Sequence, residues 1–295
     1  MELAHVSVVG SGGAILSCRH TGIDPGKPSV LIALPFGVPA DVARAACVAL
    51  APSFNVATWE SRYVLNIDQP FAGDEPVAPG NHVEDMVRIL STLGIESCRL
   101  IGYCSGGGIS LLAAAEHPEL FTELLLVNGE YQLFRHAGHA STDYQRSIDT
   151  FLPVVAGGRR EARFIFEKMA EISKARKKVL QSDLDEQINR PFSQEEYLFR
   201  YAKNYMGYRT FAALDVAARV RQRTFVLTGA RDEHSSMENS QAVAAAIPGT
   251  SMFVDPIGDH YEFCRHGSAI LAEISSYLSA KAGSTAGGPA LTIGT

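Results

Sequence analysis

Short apolar segments alternate with helical ones along the first 127 residues, and no other feature constrains the fold as strongly. Residues 29–34 (SVLIAL), 54–59, 97–103 and 123–127 (ELLLV) read as strands. Between them, 41–50, 81–93 and 105–116 carry helical spacing, with Gly94 and the pair His117-Pro118 as stops. Continuous apolar runs of this length suit strands buried on both faces, and strand–helix–strand order requires crossovers between parallel neighbours. Ahead of them, residues 5–9 and 14–18 flank Gly-Ser-Gly-Gly and predict an antiparallel hairpin. The expected class is α/β, with a mostly parallel central sheet flanked by helices.

The pattern breaks near residue 131. The next strand-like run is 224–227 (TFVL), and the interval holds helical spacing at 159–180, 194–205 and 210–221. Alternation then resumes with a helix at 237–246, a strand at 251–254 and a last helix at 268–280. The simplest organisation is a core of residues 1–130 and 224–280 interrupted by a helical cap, 131–223. A small, Gly-rich tail, 281–295, is expected to be flexible. At 295 residues and 46% hydrophobic, the chain can bury such a core without disulfide or metal staples.

Charge follows the same boundary. The interval 131–223 holds 17 of the 26 basic and 11 of the 32 acidic residues, so a basic cap sits on an acidic body. The overall charge of −6 argues against a protein that binds nucleic acid duplexes. Five cysteines without a CxxC pair fit neither a disulfide framework nor a zinc ribbon. With no leader-like or membrane-spanning run, the expected setting is cytoplasmic, and no metal or other cofactor is expected. His136 and His139 are spaced as a metal pair but lack an acidic third ligand, and read as loop histidines.

The chemistry concentrates in Gly102-Tyr103-Cys104-Ser105-Gly106-Gly107-Gly108, between a predicted strand and a predicted helix. Cys104 alone has glycine at both −2 and +2, the spacing of a nucleophile on a sharp turn, where a flanking Cβ would collide. The following helix points its amides and positive dipole at the sulfur, which favours a thiolate. Ser105 is better placed to lend its backbone N–H to an oxyanion hole. A cysteine nucleophile needs a base and an orienting carboxylate. Asp232 follows the strand TFVL, and His260 lies on a Gly-containing loop after the next strand. Nucleophile, acid and base therefore come in the order Cys104, Asp232, His260, each beyond a strand's carboxyl end, where α/β sites form. Glu130, directly after ELLLV, is the rival acid and is otherwise expected to contact substrate.

On GYCSGG (102–107), GARD (229–232) and GDHYEF (258–263), the chain resembles the α/β-hydrolase superfamily over roughly residues 5–280. The loop Phe36-Gly37-Val38-Pro39 looks like that family's oxyanion loop, which implies the N–H of Val38 as a second donor, with Phe36 replacing the usual His. The interval 131–223 occupies the position of the family's cap. A cysteine elbow is similar to those of dienelactone hydrolases and polyhydroxyalkanoate synthases. Length and motif order resemble acyltransferases and thioesterases of natural-product pathways, which implies a thioester or ester substrate in secondary-metabolite biosynthesis. Two alternatives share the scaffold: a lyase eliminating acetate or another carboxylate from an acylated, tetronate-like intermediate, and a non-catalytic ligand receptor.

Further expectations concern the pocket and its surroundings. Phe36, Tyr103 and Trp59 are expected to touch substrate, while Glu60 and Arg62 brace loops. Tyr197, Phe199, Tyr201, Tyr205, Tyr208 and Phe211 either line an acyl pocket or pack as core. The basic residues of 159–180 (Arg159, Arg160, Arg163, Lys168, Lys174, Arg176, Lys177 and Lys178) form either a docking face for an acyl-carrier protein or CoA thioester or a solvated cap surface.

Overall fold

The apolar runs become strands of a single eight-stranded sheet in the computed structural model, which describes residues 1–131, 133, 140–175 and 182–280. The strands are β1 (Ala4–Val9), β2 (Ile15–His20), β3 (Ser29–Ala33), β4 (Asn55–Trp59), β5 (Cys98–Tyr103), β6 (Phe121–Val127), β7 (Arg223–Gly229) and β8 (Ser251–Asp255). Their spatial order is β1-β2-β4-β3-β5-β6-β7-β8. The β1–β2 hairpin is antiparallel and joins β4 antiparallel; every pairing beyond β4 is parallel. The helices are α1 (Arg44–Leu50), α2 (Pro79–Leu93), α3 (Ser105–Glu116), α4 (Asp143–Val155), α5 (Arg159–Ala175), α6 (Asp183–Ile188), α7 (Glu195–Tyr208), α8 (Ala213–Ala217), α9 (Met237–Ala246) and α10 (Ala269–Ser279).

The period of two in a strand sends neighbouring side chains to opposite faces, and here both faces are apolar. Leu31 and Ala33 of β3, with Leu124 and Leu126 of β6, meet α2, α3, α8 and α9. Val30 and Ile32, with Leu125 and Val127, meet α1 and α10. Polar caps fix the starts of α9 and α10: the hydroxyls of Ser236 and Ser268 accept from the amides of Asn239 and Leu271.

Between β6 and β7 the described chain is helical. Helix α4 has no counterpart among the sequence expectations, because Pro153 and a polar surface interrupt its apolar spacing. Its start was nevertheless marked: Thr142 and Gln145 form a reciprocal capping box. At the other end of the interval the helix expected over 210–221 shortens to α8, which packs on α3 and α9. His136, His139 and the tail 281–295 lie outside the described residues.

Two buried arginines tie these pieces together. Arg200 of α7 ion-pairs with Glu196 at 2.7 Å and donates to the carbonyls of Tyr63 (3.0 Å), Asn66 (2.9 Å) and Gln69 (3.0 Å), locking α7 onto the loop after β4. Arg62, in that loop, forms a bidentate pair with Asp85 of α2, and both side chains are wholly buried. Its remaining donors reach the carbonyls of Ser11, Pro76 and Asn81, while Asp85 also accepts from the amide of Ser11. The partner of Arg62 is therefore Asp85 across the fold. Removing one member strands a buried charge, so Arg62→Ala is expected to lower unfolding stability by about 3–5 kcal/mol. Urea denaturation measures this, and a loss below about 1 kcal/mol would contradict the role given to the pair.

Candidate active site

Strand β5 runs into α3 through Cys104, whose backbone is left-handed, with φ of 53° and ψ of −124°. A non-glycine residue in this region is strained and persists only where its surroundings over-determine it. They do so here. The Cys104 amide donates to Val127 (3.0 Å), and its carbonyl accepts from Gly107 (2.9 Å) and Glu130 (3.1 Å). A Cβ at Gly102 would lie 2.7 Å from the Cα of Gly107, and one at Gly106 would lie 2.2 Å from the carbonyl oxygen of Ala33. The third glycine of the run, Gly108, serves a different purpose: a Cβ there would strike the Tyr208 ring of the cap.

The structure brings the three expected chain positions together. Nδ1 of His260 meets Oδ2 of Asp232 at 2.8 Å, and the Cys104 thiol lies beside the imidazole, whose charge acts on it. Asp232 is saturated: Oδ1 accepts from the amides of His234 (2.7 Å) and Ser235 (2.8 Å), and Oδ2 also accepts from Nδ2 of Asn128 (2.9 Å). Burial pushes the Cys104 thiol above its ordinary value, opposed by the His260 imidazole. Burial also opposes the charged form of His260, but Asp232 and Cys104 reverse it and carry the imidazole up to about 10. For Asp232 burial favours the neutral acid, yet His260 and the donated amides hold it below the usual carboxylate range.

These directions fix a pH dependence. A raised imidazole contributes stability that is complete below about pH 6.5 and is lost as pH rises through about 10. The depressed carboxylate contributes above its unfolded value of about 3.8 and loses that contribution as pH falls through the lowered one. Asp232→Asn is therefore expected to show its largest stability deficit between about pH 4 and 6.5, a deficit that shrinks as pH rises from there and loses its ion-pair part by about pH 10. Urea midpoints across that range test it; a deficit independent of pH would contradict the ion pair.

The other expected residues have varied placements. The hydroxyl of Ser105 accepts from the amide of Phe36 at 3.2 Å, so this side chain braces the loop after β3. That loop is held further by the Gly37 amide, which donates to Ser61 Oγ at 2.8 Å, and the Val38 side chain is buried. Phe36 packs against His82 and Tyr208 with ring centroids 5.0 and 5.6 Å apart. Tyr103 is placed behind the histidine rather than toward a ligand: its hydroxyl donates to the carbonyl of His260 at 3.0 Å, and its ring packs on Phe263. Trp59 is buried in the core on the α2 and α3 side of the sheet. Glu130, the rival acid, accepts from the Tyr205 hydroxyl at 3.0 Å, while its carbonyl accepts from Tyr208. It is thus held by α7, and the acid bonded to His260 is Asp232.

Two neighbours of the site had gone unnoticed in the sequence. His234 stacks on His260 at 4.8 Å and meets the Tyr261 hydroxyl through Nε2 at 2.9 Å. Asn128 occupies the left-handed region, with φ of 45°, one residue beyond β6. An Asn-Gly pair following a buried apolar strand was the available signal for it. Asp232, His234 and His260 bring ligand atoms within 4.8 Å of one another, close enough for a metal ion; Nδ1 of His260 bonds Asp232, and Nε2 of His234 bonds Tyr261.

The basic face of α5 is largely neutralised where it is described. Arg159 pairs with Glu196, Arg160 with Glu161, Arg163 with Glu195 and Lys168 with Glu171. Exposed pairs of this kind present little net charge to an acidic partner. Arg176, Lys177 and Lys178 lie outside the described residues.

A strained elbow before a helix, an acid after β7 and a histidine after β8 together define an α/β hydrolase. The chain belongs to the α/β hydrolase fold family, whose profile matches residues 45–264. It is 24% identical over 254 residues to the L-allo-isoleucyltransferase of Pseudomonas savastanoi pv. glycinea, spanning 85% of this chain and 86% of that one. Among solved structures, an esterase from Exiguobacterium antarcticum superposes with a TM-score of 0.72 at 16% identity, covering 94% of this chain and all of that one (100%). The enol-lactonase from Burkholderia xenovorans LB400 gives a TM-score of 0.67 at 18% identity, covering 94% and 100%. The chain is an enzyme of the hydrolase–acyltransferase type. No helix among the described residues is long and apolar enough to cross a membrane.

Proposed function

We propose that this enzyme transfers acyl groups through a thioester on Cys104, taking them from a small-molecule or carrier-bound thioester or an ester. One observation carries the reading: a cysteine occupies the strained turn between β5 and α3, beside a histidine that Asp232 orients. Thioester exchange at sulfur is close to balanced, because donor and enzyme thiolates leave comparably well, so the acyl-enzyme retains its energy for a second transfer. The similarity to an isoleucyltransferase supports transfer alongside hydrolysis.

The sequence of events follows from the geometry. His260 takes the Cys104 proton, and the sulfur attacks the acyl carbonyl carbon. Asp232 balances the imidazolium as it forms. The amides of Ser105, at the start of α3, and of Val38 receive the developing oxyanion. The tetrahedral species collapses, the donor's sulfur or oxygen departs with the proton from His260, and the acyl group remains on Cys104. An acceptor thiol, amine, alcohol or water then gives its proton to His260 and attacks, releasing Cys104. Intact-mass analysis after mixing with a panel of acyl-CoA thioesters and acyl-carrier thioesters tests the reading. A mass increase equal to the acyl group, mapped to Cys104, is expected. Elimination to a new double bond without any adduct would replace it with the lyase reading, and tight binding without turnover with the receptor reading.

A further inference from the structure

We propose that Asn128 is a positioning residue of this site, whose carboxamide holds the acid loop after β7 and the histidine loop after β8 in register from the end of β6. The inference rests on the reading that Asp232 orients His260, and it adds a residue on a third strand to which no role has been given.

Three observations converge. Asn128 is almost wholly buried (1% exposed), and its amide donates to the carbonyl of Leu227 at 2.9 Å, fixing its backbone to β7. Its side-chain nitrogen carries two hydrogens, and both have acceptors: Oδ2 of Asp232 at 2.9 Å and the carbonyl of Asp259 at 3.0 Å. Asp259 directly precedes His260, so one planar amide grips the acid and the backbone of the base together. The orientation of the amide is forced, since a carboxylate oxygen and a carbonyl can only accept, and turning the amide over would set oxygen against oxygen. The left-handed backbone at φ 45° aims the side chain at this gap and restricts the position to Asn, Asp or Gly at low strain.

The oxygen that Asn128 grips is also the one that bonds His260. Two donors on Oδ2 and two amides on Oδ1 leave the carboxylate no freedom to rotate. Charged and titratable groups facing the pair are Cys104 through the imidazole, Glu130 from the loop after β6, and His234, Asp259 and Tyr261 from the two flanking loops. The Asp259 carboxylate is itself paired with Arg265 at 2.8 Å.

Asparagine is separable from its neighbours by two substitutions in the full chain. Asn128→Gly keeps the left-handed backbone and deletes both donors. Asn128→Asp keeps the shape and sets a second carboxylate against Asp232. The probes are the rate of Cys104 alkylation by iodoacetamide as a function of pH, and turnover of p-nitrophenyl acetate. For Asn128→Gly, kcat is expected to fall about tenfold with KM changed less than about twofold, and the acid limb of both profiles to move upward by roughly half a pH unit. For Asn128→Asp the limb is expected to move further, by about one unit or more, because like charges resist ionising together. A purely structural residue would lower the melting temperature and leave both pH limbs in place, and that result overturns the proposal. Should the glycine variant fail to fold, the aspartate variant carries the same test. His260→Ala separates the two levels: if it leaves alkylation and turnover unchanged, the underlying triad reading fails, whatever Asn128 does.

Discussion

Cys104→Ala is expected to abolish acyl-adduct formation and to lower thioester turnover by at least roughly a thousandfold, because nucleophile and base act as a unit. Removing either member should cost about as much as removing both. The surroundings of the thiol make the dependence sharper. Desolvation pushes Cys104 toward its neutral form and His260 opposes that push, so a nucleophilic sulfur here would rely on the imidazole for activation. His260→Ala should therefore strip Cys104 of its reactivity toward iodoacetamide as well as its turnover. Cys104→Ser is the informative companion. It preserves shape and leaves His260 a proton to take, but replaces a good leaving group by a poor one. Transfer to a thiol acceptor should fall by roughly a hundredfold or more, while hydrolysis of an activated ester such as p-nitrophenyl acetate falls less. Turnover retained in Cys104→Ala would sink the mechanism, because no covalent intermediate could then reside on this residue.

What was legible in the sequence follows from how local each determinant is. The sheet could be read because its strands are buried on both faces, and such strands write unbroken apolar runs such as SVLIA and ELLLV into the chain. The elbow could be read because steric exclusion at −2 and +2 admits only glycine. Asp232 and His260 could be placed because they follow the carboxyl ends of β7 and β8. Other features depend on contacts between distant segments. Nothing near Arg62 announces that its partner is Asp85, 23 positions away on α2. Nothing near Tyr103 indicates that its hydroxyl serves the carbonyl of His260, 157 positions on. Asn128 belongs to the same class, since its partners are Asp232 and Asp259. Helix α4 was missed for a different reason: an internal proline broke a pattern that its capping box alone could have rescued.

The glycines after Cys104 give the second large effect, and they divide where the sequence shows three identical letters. Gly106→Ala is expected to be severely damaging. Its Cβ would stand 2.2 Å from the Ala33 carbonyl oxygen and 2.7 Å from its carbon, which are backbone atoms of β3 with no rotamer to yield. Either α3 lifts away from β3 or the β3–β5 pairing opens, and both movements disturb the loop that carries Phe36 and Val38. Overpacking of a core ordinarily costs about 1–3 kcal/mol, and a backbone obstacle places this change at or beyond the upper end. The melting temperature should drop by roughly 6 °C or more. Whatever folds should lose activity by at least about a hundredfold through a displaced oxyanion site. Gly107→Ala is the control. Its Cβ would meet the Gly129 Cα at 3.4 Å and the Tyr131 hydroxyl at 3.5 Å, ordinary contact distances, and alanine is the better helix former. That variant should match or exceed the wild-type melting temperature, by up to about 1 kcal/mol of added stability. Thermal melts of the two proteins, measured side by side, decide the matter: equal losses would mean that the turn tolerates no side chain anywhere, and that the close approach of Gly106 to Ala33 is not what sets the position of Cys104.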